Sequence, residues 1–147
     1  MLLAEIIAVY GDELLDRVRR DSSRTGTISS NLHRAASSLF EFAAAHVDFY
    51  RVYLSLWFAP PESESATIAH PYHQSLYELM KTMFAESKHS AQYAFSFLGL
   101  LHTFVGVFLS GTVTLDRKAA RRIVHQFLHG IMADEPGMQP ALVRAEE

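Results

Sequence analysis

The stretch from His89 to Leu115 constrains the fold most, because none of its residues carries a charged side chain. A helix that is apolar nearly all round is either buried on most sides or crosses a bilayer. Small and weakly polar residues recur along it with heptad spacing, which places them on one helix face. These residues, here called the small-residue stripe, are Gln92, Ser96, Gly99, Thr103, Gly106 and Ser110. We therefore predict a central helix over Ala91–Val113, with one face inside its own domain and another against a second helix layer.

A membrane span is the alternative interpretation of the same stretch. Its length and lack of charge fit a span, and membrane helices also associate through small residues on one face. Against a span, the segment contains Gln92 and His102, and no cluster of Lys or Arg flanks one end alone. The remaining helices are amphipathic and need an apolar partner. The sequence thus favours a soluble protein without membrane association, and a small membrane-associated protein stays as an alternative.

Composition sets further bounds. Hydrophobic residues make up 49% of the 147 residues and charged residues 20%, which is typical of one globular domain. The formal net charge of −3 gives no basic footprint for binding DNA directly. The chain has no cysteine and no basic signal-peptide region at its start, so we expect a cytoplasmic protein. We predict a ligand-binding and dimerisation domain over residues 1–134 and a flexible tail over residues 135–147.

The chain shows helical periodicity throughout and no hairpin signal, so we predict an all-α bundle of about six helices. Polar or proline-containing loops are expected at Arg20–Thr27 and Ala59–Ser65. Pro71 is expected in the first turn of a helix. The first predicted helix is Leu2–Arg20, and the second is capped by Ser29 or Ser30. The third lies around Phe49–Trp57, after a break near His46 and Asp48, and the fourth runs from Pro71 to about Lys88. The central helix is the fifth, and the sixth covers about Leu115–Ala133 and is capped by Thr114 or Asp116.

The histidines do not predict a metal site. His125 and His129 are four residues apart on one helix, but a third ligand is not evident and Gln126 follows His125, so HExxH is absent. His70 and His73 flank Pro71 and could chelate only weakly. We therefore predict no metal and no cofactor, with these histidines serving as interface or capping residues.

Catalytic patterns are also missing from the sequence. It contains no nucleophile elbow, no glycine-rich phosphate loop and no pair of carboxylates on an apolar face. We predict that the protein is not an enzyme.

His102 lies in the middle of the central helix and needs a hydrogen-bond partner. Burying an imidazole without one costs about 1–3 kcal/mol. The partner could be a core Ser or Tyr, a residue of a second subunit, or a ligand. Tyrosines with polar tips and the adaptable Met80 and Met83 accompany it along the chain, a composition found in apolar ligand pockets.

The last quarter of the chain carries a more specific pattern. The segment FVGVFLSGTVTLDRKAARRIVHQFLHGI (Phe104–Ile131) resembles the C-terminal end of TetR-family transcriptional regulators. There an apolar helix ending in Gly precedes a final helix with an Arg-x-Val-x-x-Phe-x-x-Gly-like core, matched here by Arg122, Val124, Phe127 and Gly130. The segment Leu2–Val18 is similar to the connecting helix that follows the family's DNA-reading module. The family's N-terminal helix-turn-helix is absent from these 147 residues.

The resemblance implies the effector-binding and dimerisation part of a ligand-responsive repressor or activator, which contacts DNA only through the absent module. It implies a homodimer in which the last two helices of each subunit form a four-helix bundle, and the small-residue stripe suits that close contact independently. The effector would be small and largely apolar or aromatic. The predicted interface residues are Gly99, Thr103, Gly106, Ser110, Ile123, Phe127 and Gly130.

We place the effector among the helices that precede the last one. Trp57, Tyr77 and Phe95 would stack on it and His102 would donate or accept a hydrogen bond. The predicted ligand-binding residues are Phe40, Tyr53, Trp57, Tyr77, Met80, Phe95 and His102. The rival interpretation is a stand-alone helical protein–protein interaction domain without a ligand, in which the aromatic residues are plain core.

Overall fold

A computed structural model of the protein describes residues 2–22 and 26–130. Within these residues the chain forms six helices and no strand, so the predicted all-α class with six helices is confirmed. The helices are α1 (Leu2–Ser22), α2 (Ile28–Ala45), α3 (Val47–Trp57), α4 (Glu64–Thr82), α5 (Ser90–Leu109) and α6 (Arg117–His129). The predicted end of the last helix at Ala133 and the predicted tail over residues 135–147 lie outside the described residues.

The helices pack in pairs around one aromatic-rich core. α1 lies against α2 and α4, α6 packs chiefly on α2, and α5 packs on α4 and α3. The largest side chains with almost no exposed surface include Phe40 and Phe42 of α2, Tyr50 and Tyr53 of α3, and Phe97 of α5. The short helix α3 therefore brings two tyrosines into the space between α4 and α5.

Side-chain caps decide where the helices begin. Thr27 Oγ1 accepts the backbone N–H of Ser30 at 3.1 Å, so α2 begins at Ile28 and the predicted caps Ser29 and Ser30 are wrong. Asp116 caps α6 by accepting the N–H of Ala119 at 2.7 Å, which confirms one of the two predicted caps.

The predicted start of the fourth helix at Pro71 is wrong. Ser63 Oγ accepts the N–H of Ala66 at 3.1 Å, so α4 begins seven residues earlier, at Glu64, and Pro71 lies inside it. Proline has no N–H, so the carbonyl of Thr67 lacks its helical donor at that point. α4 also ends at Thr82 instead of Lys88, because turns occupy the residues that follow.

One close approach holds α1 against α4 near this proline. The ring of Tyr72 lies so near Gly11 that a Cβ there would come within 2.6 Å of Tyr72 Cδ1. The helix α4 thus continues through Pro71 at the point where the neighbouring Tyr72 packs against α1.

The central helix is shorter than predicted at its C-terminal end. α5 ends at Leu109 instead of Val113, because Gly111 adopts a left-handed conformation (φ 85°). Its N–H donates to the carbonyl of Phe108, and the N–H of Thr112 donates to that of Val107, which is the Schellman pattern. By length and composition α5 is the one described helix that could cross a membrane, although about a third of it is buried within the protein.

Candidate ligand site and dimer face

Five rings from three helices form a cluster beside α5. Trp57 of α3 lies between two imidazoles, with ring centroids 4.4 Å from His73 of α4 and 4.6 Å from His102 of α5. Tyr53 also approaches His73, at 4.6 Å, and Tyr50 approaches His102, at 5.9 Å. We call Tyr50, Tyr53, Trp57, His73 and His102 the ring cluster. It is the place where α3, α4 and α5 meet.

Of the kinds of partner predicted for His102, the structure shows a core tyrosine. The Tyr50 hydroxyl and His102 Nε2 are 3.1 Å apart, and both residues are buried, His102 being 6% exposed. This contact joins α3 to α5. A second bond, from Arg51 Nη2 to the carbonyl oxygen of Leu109 at 2.9 Å, joins the same two helices near the end of α5.

Three polar atoms of the ring cluster have no hydrogen-bond partner within the described protein. They are the Tyr53 hydroxyl, His73 Nε2 and His102 Nδ1. Buried polar groups are nearly always hydrogen-bonded, so these three atoms are available to a water molecule or to a polar group of a ligand.

Both imidazoles of the ring cluster are neutral at pH 7. Burial, with a smaller contribution from the nearby His73, lowers the pKa of His102 to about 3. Burial lowers the pKa of His73 to about 4, and the nearby His70 also lowers it, against the opposing effect of the Tyr53 backbone. Burial raises the pKa of both tyrosines, Tyr50 and Tyr53. The cluster is therefore an uncharged polar site.

The seven predicted ligand-binding residues separate into three groups. Tyr53, Trp57 and His102 lie together in the ring cluster. Tyr77 and Phe95 stack on each other at 4.4 Å, but Phe95 is 62% exposed, so this pair belongs to the surface of α4 and α5. Phe40 and Met80 are fully buried in the general core.

Sequence reasoning missed Tyr50 and His73 as members of the site. The signal for His73 was present, because Ala69, His73, Leu76 and Met80 follow one another at spacings of four, three and four. The other three are fully buried in α4. The misplaced start at Pro71 concealed this stripe, since it assigned His73 to a helix end.

The small-residue stripe lies on the uncovered face of α5. Its residues are exposed, apart from the partly exposed Gly106, while the opposite face is buried. A Cβ added at Gly99 or at Gly106 would meet no atom within 4 Å. The predicted inward face of the central helix is thus confirmed, and its second face has no covering layer within the described chain.

The predicted interface residues of the last helix have mixed environments. Ile123 is only 2% exposed and belongs to the protomer core. Phe127 is partly buried and packs on Phe97, with ring centroids 5.1 Å apart. Gly130 is exposed just beyond α6, with φ at 75°.

Within the described residues no three His, Asp or Glu side chains are grouped so that they could hold a metal ion. The rings of His125 and His129 lie 4.9 Å apart on α6.

Open grooves lie away from the ring cluster. One of about 630 Å³ includes Tyr10 and Phe49, and another of about 600 Å³ includes Phe104 and Thr112.

Comparisons of the chain with protein-family models, with curated proteins and with solved structures find no match.

Proposed function

We propose that this chain is the effector-binding and dimerisation domain of a TetR-like transcriptional regulator. The proposal assigns it a small, largely apolar or aromatic effector and no catalytic step. DNA binding belongs to a helix-turn-helix outside these 147 residues, in keeping with the net charge of −3. The sequence pattern Phe104–Ile131 suggests the family, and the six-helix all-α fold is compatible with it.

The observation that carries the effector-binding part is the ring cluster. Three helices surround it, and the Tyr53 hydroxyl, His73 Nε2 and His102 Nδ1 have no partner within the described protein. Apolar walls with a few convergent polar atoms are the usual composition of a small-molecule site. The proposed effector site does not include Tyr77 and Phe95, which lie on the surface of α4 and α5.

The proposed homodimer rests on the uncovered face of α5. A helix with so much apolar surface is normally covered on both sides, yet Phe95 is 62% exposed and Gly99 and Gly106 face open space. Small residues let the same face of a second copy approach closely. We therefore assign this face to the partner subunit's α5.

The test of the regulator assignment is the coding sequence upstream of Met1 in the native gene. About 45–60 further codons with a basic helix-turn-helix pattern would support it. The matching functional test is binding of the full-length protein to its own promoter fragment in a gel-shift assay. A native start codon at Met1 would overturn the assignment.

A stand-alone interaction domain is the second candidate, and the same exposed face of α5 favours it. In that case the ring cluster is part of a closed core, and the exposed face of α5 binds a different protein. Purification without detergent, followed by sedimentation of the pure chain, distinguishes the candidates: a stable monomer would favour the interaction domain, and a need for detergent would favour a membrane protein.

A further inference from the structure

A cleft of about 370 Å³, here called the polar cleft, is lined by residues of α1, α2 and α6. Its volume is in the range of about 300–1,000 Å³ that small-molecule sites occupy. α2 lines it with His33, Arg34, Ser37 and Ser38, and α6 adds Arg117. The spacing of the four residues of α2 places them on one face of that helix. The polar cleft shares no residue with the ring cluster or with the small-residue stripe.

The two serine hydroxyls of the polar cleft are not used by their own helix. Elsewhere in the chain, the hydroxyls of Ser22 and Thr103 each donate to a carbonyl four residues earlier, as helical Ser and Thr commonly do. The Oγ atoms of Ser37 and Ser38 are buried and have no hydrogen-bond partner within the described residues, and Ser38 as a whole is 2% exposed. Both hydroxyls are therefore available to a ligand in the cleft.

A third polar atom of the cleft is in the same situation. His33 Nε2 is buried and has no hydrogen-bond partner in the part of the chain that the structure describes. In a neutral imidazole this nitrogen can carry the proton, so it can donate together with the two hydroxyls. Buried polar atoms rarely stay unpaired. Three of them on the wall of one cleft point to a ligand with several acceptor atoms.

Two carboxylates, those of Asp21 and Glu41, also line the polar cleft, and both are paired with arginine. Asp21 Oδ1 lies 3.3 Å from Arg20 Nε. Glu41 lies between two guanidinium groups, with oxygens 3.9 Å from Arg17 Nη2 and 3.6 Å from Arg117 Nε. The negative charges of the cleft are thus offset by its own arginines.

Arg34 adds a fourth guanidinium group at the polar cleft. Four arginines and two carboxylates leave an excess of two positive charges, which favours an anion. A phosphate group carries a charge of about −1.5 to −2 at pH 7 and offers three acceptor oxygens. A carboxylate has one charge and two oxygens, so a phosphate group can use more of the donors in the cleft.

We propose that the polar cleft binds a phosphate group, either as free phosphate or as part of a small organic molecule. The hydroxyls of Ser37 and Ser38 and the Nε2 of His33 donate to its oxygens. Arg34 and Arg117 neutralise its charge, so the bound group joins α2 to α6. This site is additional to the effector site of the proposed function and does not rest on it.

Isothermal titration calorimetry on the whole chain tests the site, in a buffer free of phosphate and at fixed ionic strength. The probes are inorganic phosphate, ribose 5-phosphate, acetate and methylammonium. We expect saturable binding of a phosphate probe about tenfold tighter than that of acetate, because hydrogen bonds to charged groups are the strong ones. Methylammonium should not bind. Tighter binding of ribose 5-phosphate would identify an organic phosphate as the ligand, and tighter binding of inorganic phosphate would identify free phosphate.

Ser38→Ala removes one buried donor and should lower the affinity for phosphate about tenfold. The free energy of unfolding should not fall, because the lost hydroxyl has no partner and alanine has the higher helix propensity. Ser55→Ala is the matched control on α3. The Ser55 hydroxyl donates to the Val52 carbonyl outside the cleft, so this variant should bind phosphate as the wild type does.

A second pair of variants tests the charge. Arg117→Gln and Lys118→Gln each remove one positive charge from neighbouring exposed positions of α6. Of the two residues, Arg117 lines the polar cleft, so its replacement should weaken phosphate binding about tenfold and that of Lys118 should not. Equal losses would mean that the general charge of the surface attracts phosphate, which would refute a specific site.

Three other results would overturn the proposal. They are no saturable binding of either phosphate probe, acetate or methylammonium bound as tightly as phosphate, and an unchanged affinity in Ser38→Ala. The cleft would then hold water only. None of these results bears on the proposed effector site or on the dimer, because both involve other residues.

Discussion

His102 shows how far one residue can be interpreted from sequence. Its position in an uncharged helix required a hydrogen-bond partner, and the partner is the hydroxyl of Tyr50. The sequence left three kinds of partner open, because periodicity gives the face of a helix but not the side chain opposite. Which side chain lies opposite His102 depends on how α3 crosses α5, and this crossing places Tyr50 there.

Burial of His102 predicts a dependence of stability on pH. The unfolded imidazole titrates near a pKa of about 6.5, and burial lowers the folded pKa to about 3. Between these values only the unfolded state binds the proton, so the folded state loses stability as the pH falls. From pH 7 to pH 5 this group should remove about 2 kcal/mol from the free energy of unfolding.

Urea unfolding at the two pH values measures this loss. His102→Gln does not titrate there, so its difference between pH 7 and pH 5 should be smaller than that of the wild type by this amount. Equal differences in both proteins would show that His102 is accessible to protons in the folded state.

Tyr50→Phe should destabilise the protein by about 1–3 kcal/mol, because it leaves His102 Nε2 buried without a partner. Tyr93→Phe removes a hydroxyl from a residue that is 38% exposed and should change the stability little. The midpoints of urea unfolding compare the two. A Tyr50→Phe variant as stable as the Tyr93→Phe variant would contradict the importance of the α3–α5 bond.

At the scale of the helices, the apolar periodicity predicted their number and the buried face of α5 correctly. Several predicted helix boundaries were wrong because two local sequence signals indicated different end residues. Pro71 suggested a helix start, but Ser63 lies upstream and caps α4 there. Gly111 ends α5 earlier than predicted. The error at Pro71 also concealed one of the five members of the ring cluster, since it removed His73 from the buried stripe of α4.

Pro71→Ala should stabilise the protein by about 1–2 kcal/mol. The change restores an N–H donor to the carbonyl of Thr67, and the greater freedom of the unfolded chain offsets part of the gain. Pro60→Ala is the control, because this proline lies in the loop before α4 and should give no gain. Thermal unfolding compares them. A destabilised Pro71→Ala variant would mean that the proline shapes the packing of Tyr72 on Gly11.

At the scale of the whole molecule, α5 connects the two proposed activities. Its buried face carries His102 in the ring cluster, and its exposed face carries Thr103 and Gly106 in the small-residue stripe. A ligand that binds His102 better in one position of α5 than in another shifts the population of those positions. In the proposed dimer the same shift would change the contact between subunits, so effector affinity and dimer geometry would be coupled reciprocally.

Gly106→Leu tests the dimer without disturbing the protomer. A Cβ at Gly106 meets no atom within 4 Å, so the leucine fits the single chain, whereas two copies packed along the stripe have no room for it. We expect the wild type to sediment as a dimer at micromolar concentration and the variant as a folded monomer with unchanged circular dichroism. Glu5→Leu places the same side chain at an exposed position of α1, a helix that packs on α2 and α4, and should remain dimeric. A Gly106→Leu variant that is still dimeric would exclude the α5 face as the interface, and the partner subunit would have to bind elsewhere.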